Sequence, residues 1–234
     1  MFRDYIYLNS DKILNYGRKL GLNNNLFNNE DKLIAEEMYF EEFENKLENE
    51  HKDSDFFDLC GDNEEKIINI KKQTIIRFEK ELFIPREFGQ VEFIQKAIKN
   101  DSIKKYLTNY ICNENDIPSD FVYKLLRDRG SVPIYFNFDS YKIYSNLQGK
   151  CFRNIEYVDF EENVDEIVTV VARVENISNI EKEIILYNVY KDLLGLGREL
   201  RRTIKTNDKQ SNSMPEEIRI LGKGIKIDVL GIYK

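Results

Sequence analysis

Short apolar runs, rich in aromatic and β-branched side chains, recur along the chain and predict strands. Residues 5–8, 74–78 and 134–138 have this character. The run at 167–174 is almost uninterrupted, which is typical of a central strand buried on both faces. Residues 218–233 predict a final strand with a bend or bulge, because glycines interrupt an otherwise β-forming stretch.

Other segments have the spacing of helices. Asn9, Ser10 and Asp11 can cap a helix that runs to about Leu20, and Gly21 is placed to end it. Shorter helical patterns follow at 88–98, 102–111 and 119–129.

A second helix is predicted at 31–50, where the apolar spacing continues among many glutamates. The positions that define its apolar face are Leu33, Phe40, Phe43 and Leu47.

A long amphipathic helix is predicted in the C-terminal third. With residues 180–205 placed at about 100° per residue, the apolar side chains fall within one arc of about 100°. These side chains are Ile185, Leu186, Val189, Leu193, Leu196, Leu200 and Ile204. The arc favours a helix from Lys191 to Ile204. Residues 183–190 also carry β-forming side chains, so a strand hairpinned to 167–174 is the alternative for that stretch.

Together the elements predict an α+β fold: a mixed sheet with a C-terminal strand-helix-strand unit covered by the long amphipathic helix. Such a unit would make its two strands parallel through a right-handed crossover. We expect an N-terminal α+β region with an acidic helix and loop at 1–115 and a C-terminal α+β region at 116–234. The boundary is expected near residues 112–120.

Composition narrows the class of protein. The 234 residues are 41% hydrophobic and 12% aromatic, which excludes a wholly disordered chain. No segment reaches the ~18–20 apolar residues of a membrane span or has the apolar core of a signal peptide. The cysteines are odd in number and far apart, which favours a reducing cytoplasm. They are Cys60, Cys112 and Cys151.

Charge is unevenly distributed around a net value of −7. Residues 30–66 hold 15 acidic and 4 basic side chains, whereas residues 191–234 hold 10 basic and 6 acidic ones. An acidic total disfavours generic nucleic-acid binding, which depends on neutralising phosphates, but it is compatible with a local basic patch.

The usual catalytic and metal-binding motifs are missing. His51 is the only histidine and lies in a highly charged stretch, which favours an exposed surface residue. Residues 53–64 resemble a calcium loop, but Phe57 and Asp58 stand where an oxygen ligand and the turning glycine are required. Neither of the two glycine-rich motifs that bind phosphates, G-x-x-x-x-G-K-[ST] and G-x-G-x-x-G, occurs in the sequence. The sequence therefore nominates no catalytic residue, no metal ligand and no cofactor.

One polar constellation stands out on the predicted C-terminal helix. Arg198, Arg201, Arg202 and Lys205 lie at i, i+3, i+4 and i+7, opposite the apolar arc, and Lys191 falls on the same side. Guanidinium groups in this arrangement suit phosphate or carboxylate recognition. Two other interpretations are a solvated face near a helix C-terminus and a contact with the acidic 30–66 segment, within the chain or across a subunit interface.

Both ends of the chain resemble a family of uncharacterised bacterial proteins, a domain of unknown function. The similar parts are the start, Phe2-x-Asp4-Tyr5-Ile6-Tyr7-Leu8-Asn9, and the glycine-containing strand at 221–233. The resemblance implies a full-length bacterial cytoplasmic protein and transfers no catalytic residue.

Three functional hypotheses follow. The first is a non-enzymatic interaction or regulatory protein of the cytoplasm with a protein partner or a second copy of itself, and no membrane. The second is a nucleic-acid or phospholigand-binding protein that uses the basic helix face, although the net charge disfavours nucleic acid. The third is a metal-dependent hydrolase with carboxylate ligands.

Overall fold

The computed structural model describes residues 3–23, 31–50, 56–59, 70–89, 119–154, 164–199, 201–202 and 217–234. Its helices are α1 (Ser10–Lys19), α2 (Lys32–Glu50), α3 (Arg86–Gly89) and α4 (Ser119–Asp128). Its strands are β1 (Tyr5–Leu8), β2 (Phe56–Asp58), β3 (Ile75–Leu82), β4 (Ser131–Phe138), β5 (Tyr141–Gln148), β6 (Val164–Asn188) and β7 (Glu217–Tyr233). A 3₁₀ turn at Gly149–Cys151 and a π-helical turn at Val189–Leu193 complete the set.

The strands form one mixed seven-stranded sheet, so the α+β class and the mixed sheet are confirmed. The order is β2-β3-β6-β7-β5-β4, and β1 pairs with β7 outside this path. The β2/β3 and β5/β7 pairs are parallel, and the other pairs are antiparallel. Strands from residues 1–115 and from residues 116–234 therefore share the sheet.

The sheet curls until β3 meets β4. Phe83, just after β3, exchanges two backbone hydrogen bonds with Tyr135 of β4, of 3.1 and 2.9 Å. This bridge completes a ring of β3, β6, β7, β5 and β4. The interior is filled by alternate residues of each strand, as the period-2 pleat requires. In β4 these are Val132, Ile134, Phe136 and Phe138.

A second apolar cluster covers the outside of the ring, where α1 and α2 pack on β1, β6 and β7. Val170 points into the ring, whereas Val171 lies in this outer cluster, and both are at most 1% exposed. The prediction that residues 167–174 form a central strand buried on both faces is confirmed there. Ile167 differs, because it is 66% exposed.

Local signals located the first two helices well. The Asn9 side chain accepts a hydrogen bond from the Lys12 amide at 3.3 Å, and Gly21 follows the helix at φ +74°. In α2, Phe40, Phe43 and Leu47 are buried as predicted. Leu33 is not: it is 56% exposed, although its spacing placed it on the same apolar face.

The acidic α2 is fastened to the sheet by arginines. Glu44, only 3% exposed, pairs with Arg3 and accepts a hydrogen bond from the Tyr233 hydroxyl at 2.9 Å. Arg77 pairs with Glu48 on the next turn of the helix. Acidic residues of the 30–66 segment therefore meet one arginine of the sheet, Arg77, and one just before β1, Arg3.

The predicted C-terminal architecture is wrong in three respects. Residues 183–188 are a strand, as the alternative interpretation predicted, but they continue β6 instead of forming a helix or a hairpin back onto 167–174. β6 and β7 are antiparallel, so the predicted parallel strand-helix-strand unit does not form. The long helix is replaced by the π-helical turn, a break at Gly195 with φ +63°, and a helical stretch that starts at Arg198. A left-handed φ at Gly195 cannot belong to a continuous right-handed helix.

Several predictions fall outside the described residues. The predicted helix at 102–111 and the environment of His51 lie wholly outside them. Most of the predicted helix at 88–98, of the boundary at 112–120 and of the calcium-like loop at 53–64 also lies outside them. Within the part of the chain that the structure describes, no helix is long and apolar enough to cross a membrane.

Candidate functional site: a polar cleft where β5 leaves β7

A cleft opens where one edge of β7 changes partner. β5 pairs with β7 up to Tyr144 and Lys226, and β1 takes over the same edge at residues 231–233. The Ser145 hydroxyl donates to the Ile227 carbonyl at 2.9 Å just past the last pair. Beyond this point β5 diverges from β7 toward β1, where Phe152 bridges to Tyr7. The backbone of β7 between the two partners therefore borders an open space.

The cleft holds about 520 Å³ and is lined mainly by polar and charged side chains. Its cations come from five separate elements: α1, the end of α4, the 3₁₀ turn, the π-helical turn and β7. They are Lys12, Arg127, Arg129, Lys150, Lys191 and Lys226. Four acidic side chains also line it, which leaves an excess of two positive charges. They are Asp128, Glu175, Asp192 and Asp228.

A close backbone contact positions the end of α4 at the cleft. The Gly149 amide donates to the Gly130 carbonyl at 2.9 Å. A Cβ added at Gly149 would lie 1.9 Å from the Leu126 carbonyl oxygen, so only glycine fits between the 3₁₀ turn and the helix. This contact holds Arg127 and Arg129 beside the end of β5.

Three lysines of the cleft are oriented by carboxylates. Lys12 pairs with Asp228, Lys226 with Glu175, and Lys191 with Asp192 at 3.2 Å. Burial acts to lower the pKa of Lys226, but its hydrogen bond and charge interaction with Glu175 outweigh burial and raise that pKa. These ion pairs hold the ammonium groups of the three lysines at the cleft.

Asn146 gives the cleft an unsatisfied acceptor. Its side-chain oxygen is buried and has no hydrogen-bond partner, although the residue lines the cleft. A buried polar atom without a partner costs about 1–3 kcal/mol. A ligand that donates an N–H or O–H group to this oxygen would remove that cost, once the side chain turns to expose the oxygen to the cleft.

The sequence-predicted basic side chains do not form one ridge. Lys191 lines the cleft, while Arg198 and Arg202 are exposed on the helical stretch beyond Gly195. Arg201 is half-buried, and its Nε is buried without a hydrogen-bond partner. Lys205 lies outside the described residues. Gly195 separates Lys191 from the helical stretch that carries the arginines, so Lys191 does not lie on one continuous helix with them. The anion- or partner-binding role predicted for these side chains stays a prediction.

Sequence reasoning missed every other cation of the cleft. These residues are distant in sequence and converge only through strand pairing, so no spacing identifies them. A signal for β5, which carries Asn146, was present: Tyr141, Ile143 and Leu147 alternate after a turn at Asp139, where φ is +50°.

The described residues give little support to two further kinds of site, a reactive cysteine and a metal site. Cys151 lines a second cavity of about 300 Å³, and burial raises the pKa of its thiol, which makes it a weaker nucleophile. Within the described ranges, no group of three or more His, Cys, Asp or Glu side chains is arranged to hold a metal ion.

The chain was also compared with known proteins. No model of a protein family matches the sequence, and no curated protein or solved structure matches it significantly. The resemblance of the two ends to an uncharacterised bacterial family stays a prediction.

Proposed function

We propose that this protein is a non-enzymatic binding protein whose cleft holds a phosphate-bearing ligand. The proposal joins the first two hypotheses and moves the anion site from the basic helix to the cleft. The observation that carries it is the convergence of six cationic side chains from five separate elements on one 520 Å³ space. A charged face on a single surface helix would need no such convergence.

The chemistry of the lining favours phosphate over a simple carboxylate. One guanidinium group can donate two parallel hydrogen bonds to two oxygens of a phosphate. Lysine ammonium groups act as point charges beside it. Asn146 adds an acceptor, so the preferred ligand also carries an N–H or O–H donor. A nucleotide has both features, because its base and ribose supply donors next to the phosphate.

Isothermal titration calorimetry with AMP, adenosine and inorganic phosphate tests the proposal. AMP should bind at low salt more tightly than either part alone. The exposed Lys150 and Lys191 can be reversed together, as Lys150→Glu/Lys191→Glu, without disturbing the core. The double variant should bind AMP about tenfold or more weakly, a loss of at least about 1.4 kcal/mol.

The matched control is Lys71→Glu/Lys72→Glu, which makes the same charge change at two exposed lysines that do not line the cleft. The control should keep wild-type affinity. Failure of the wild type to bind AMP, or an equal loss in both double variants, would overturn the proposal.

The hydrolase hypothesis stays untested. Among the described residues, no group of three or more His, Cys, Asp or Glu side chains is arranged to hold the metal ion that it needs.

A further inference from the structure

A row of lysine and tyrosine side chains leaves the cleft along the outer face of the ring. On β5, Ile143 points inward and is fully buried, so Lys142 and Tyr144 on either side of it point outward. Tyr144 lies opposite Tyr135 of β4 and opposite Lys226 of β7. We call Lys142, Tyr144, Tyr135 and Lys226 the lysine–tyrosine track.

We infer that the phosphate-bearing ligand is a single-stranded nucleic acid, which occupies the cleft and continues along the lysine–tyrosine track. The inference rests on the proposed function and names the class of its ligand. In this proposal the outer face of β4, β5 and β7 binds single-stranded nucleic acid.

Aromatic rings in the track are held beside cations. The Tyr135 ring stacks on Phe83 with centroids 5.5 Å apart and 24° between the planes. The Lys142 ammonium lies 5.8 Å from the Tyr135 ring centroid. Surfaces that combine ring faces for bases with cations for phosphates bind single strands with little sequence preference.

A glycine on β7 accommodates the second ring. A Cβ at Gly224 would lie 3.1 Å from Cε1 of Tyr144 and 2.7 Å from Cδ1 of Ile184. The space that a side chain would need is thus already filled by these two neighbours. Tyr144 is fixed at the centre of the track, so binding a base on it costs little side-chain ordering.

The track and the cleft are continuous. Lys226 belongs to both, and Asn146 follows Tyr144 on the same outward face of β5. A base placed over Tyr144 would have its neighbour near Asn146, and an exocyclic amino group can donate to the Asn146 oxygen once that side chain turns outward. A duplex would hide these base faces and donors, so the geometry favours a single strand.

Local charge is consistent with this ligand despite the net charge of −7. Many of the acidic side chains lie in the 30–66 segment, and α2 supplies carboxylates to Arg3, Arg77 and Arg153. Near the track, Glu175 offsets the charge of Lys226. Binding is therefore expected to weaken as salt is raised, but with a shallow slope, because the track neutralises few phosphates.

Fluorescence anisotropy with a labelled single-stranded DNA 12-mer of mixed sequence tests the inference. At low salt the 12-mer should bind about tenfold or more tightly than AMP, since it engages the track as well as the cleft. Lys142→Glu and Tyr144→Leu should each weaken the 12-mer about fivefold or more, a range set by the loss of one phosphate contact or one stacked base. Both variants should keep AMP affinity within about twofold.

Matched controls separate the track from its surroundings. Tyr141→Leu changes a half-buried tyrosine on the same strand but outside the track, and Lys71→Glu changes an exposed charge elsewhere. Both should bind the 12-mer as the wild type does. Tyr144→Phe keeps the ring and should also bind normally. If Tyr144→Leu does not fold, Lys142→Glu still decides.

The outcomes distinguish the two proposals. If AMP binds but the 12-mer binds no more tightly, or if both track variants bind it normally, the inference fails and the proposed function stands. If the same sequence as a duplex, or a glutamate 12-mer peptide, binds equally well, the single-strand assignment is overturned. If neither AMP nor the 12-mer binds, both proposals fail.

Discussion

At the scale of single residues, Gly149 is the tightest point of the described structure around the cleft. Its missing side chain lets the 3₁₀ turn touch the backbone of α4 at Leu126. Backbone atoms cannot move aside as a flexible side chain can. The contact therefore sets the distance between the end of β5 and the cationic end of α4.

Gly149→Ala should destabilise the protein by about 1–3 kcal/mol, as overpacking of a filled site does. For a chain of this size each kcal/mol lowers the melting temperature by about 2–4 °C. Differential scanning calorimetry measures the change. Gly197→Ala is the control, because a Cβ there has no neighbour within 4 Å, and it should melt no lower than the wild type. Equal melting of both variants would contradict the proposed contact.

The candidate site was predictable from the sequence only in part. Lys191 was singled out for its charge, and it does line the cleft. Lys12 and Lys226 are ordinary lysines in an ordinary helix and strand until β1 and β5 are brought to the same edge of β7. Their role depends on strand pairing over long sequence distances, which local spacing does not encode.

At the scale of elements, β6 carries two cores, one on each face. Val170 faces the interior of the ring, and Val171 faces the helices. Ile167, on the same strand, is mostly exposed. One strand thus offers both buried and exposed positions for comparison.

Val170→Asp and Val171→Asp should each abolish soluble expression, because an unpaired carboxylate in either core costs several kcal/mol (about 3 or more). Ile167→Asp introduces the same side chain in solvent and should express and melt within about 0.5 kcal/mol of the wild type. Soluble yield and circular dichroism report the result. A soluble, normally melting Val170→Asp or Val171→Asp protein would show that its side of the strand is not a core.

The C-terminal third shows why periodicity alone misleads. Leu193 and Leu196 are buried, as the helical arc required, but they enter the core from a π-helical turn and the loop after it. Ile185 lay on the same arc and is 52% exposed, because it belongs to β6, where side chains alternate. Buried positions were predicted better than the backbone that buries them. By contrast, β1, α1, α4 and β4 followed from caps, turns and short runs.

At the scale of the whole molecule, buried tyrosines make the stability of the fold depend on pH in the alkaline range. Burial raises the pKa of Tyr7 and Tyr187 well above the ordinary value, and raises the pKa of Tyr5 to about 12. The folded protein therefore keeps phenolic protons that the unfolded chain releases. The free energy of unfolding should fall as pH rises above about 10, by about 1.4 kcal/mol per pH unit for each such tyrosine.

Tyr187→Phe isolates one of these contributions. The Tyr187 hydroxyl is buried and has no hydrogen-bond partner, so its removal should leave stability at neutral pH unchanged or raise it. Between pH 10 and 11, the free energy of unfolding should fall less steeply in the variant than in the wild type, by about 1.4 kcal/mol per pH unit. Urea unfolding across this pH range gives both quantities. An unchanged slope would mean that Tyr187 ionises in the folded state.

The pairing of β1 with β7 sets an order of events during biosynthesis. Tyr5 lies opposite Tyr233, and the outer cluster that α1 and α2 cover includes Leu230. At about 5–20 residues per second, a ribosome needs on the order of tens of seconds to make the chain between these strands. Until then α1 and α2 lack the β7 part of the surface on which they pack, although Ile75 of β3 and Val171 of β6 are made earlier. β1 can therefore pair with β7 only after nearly all of this chain has been made.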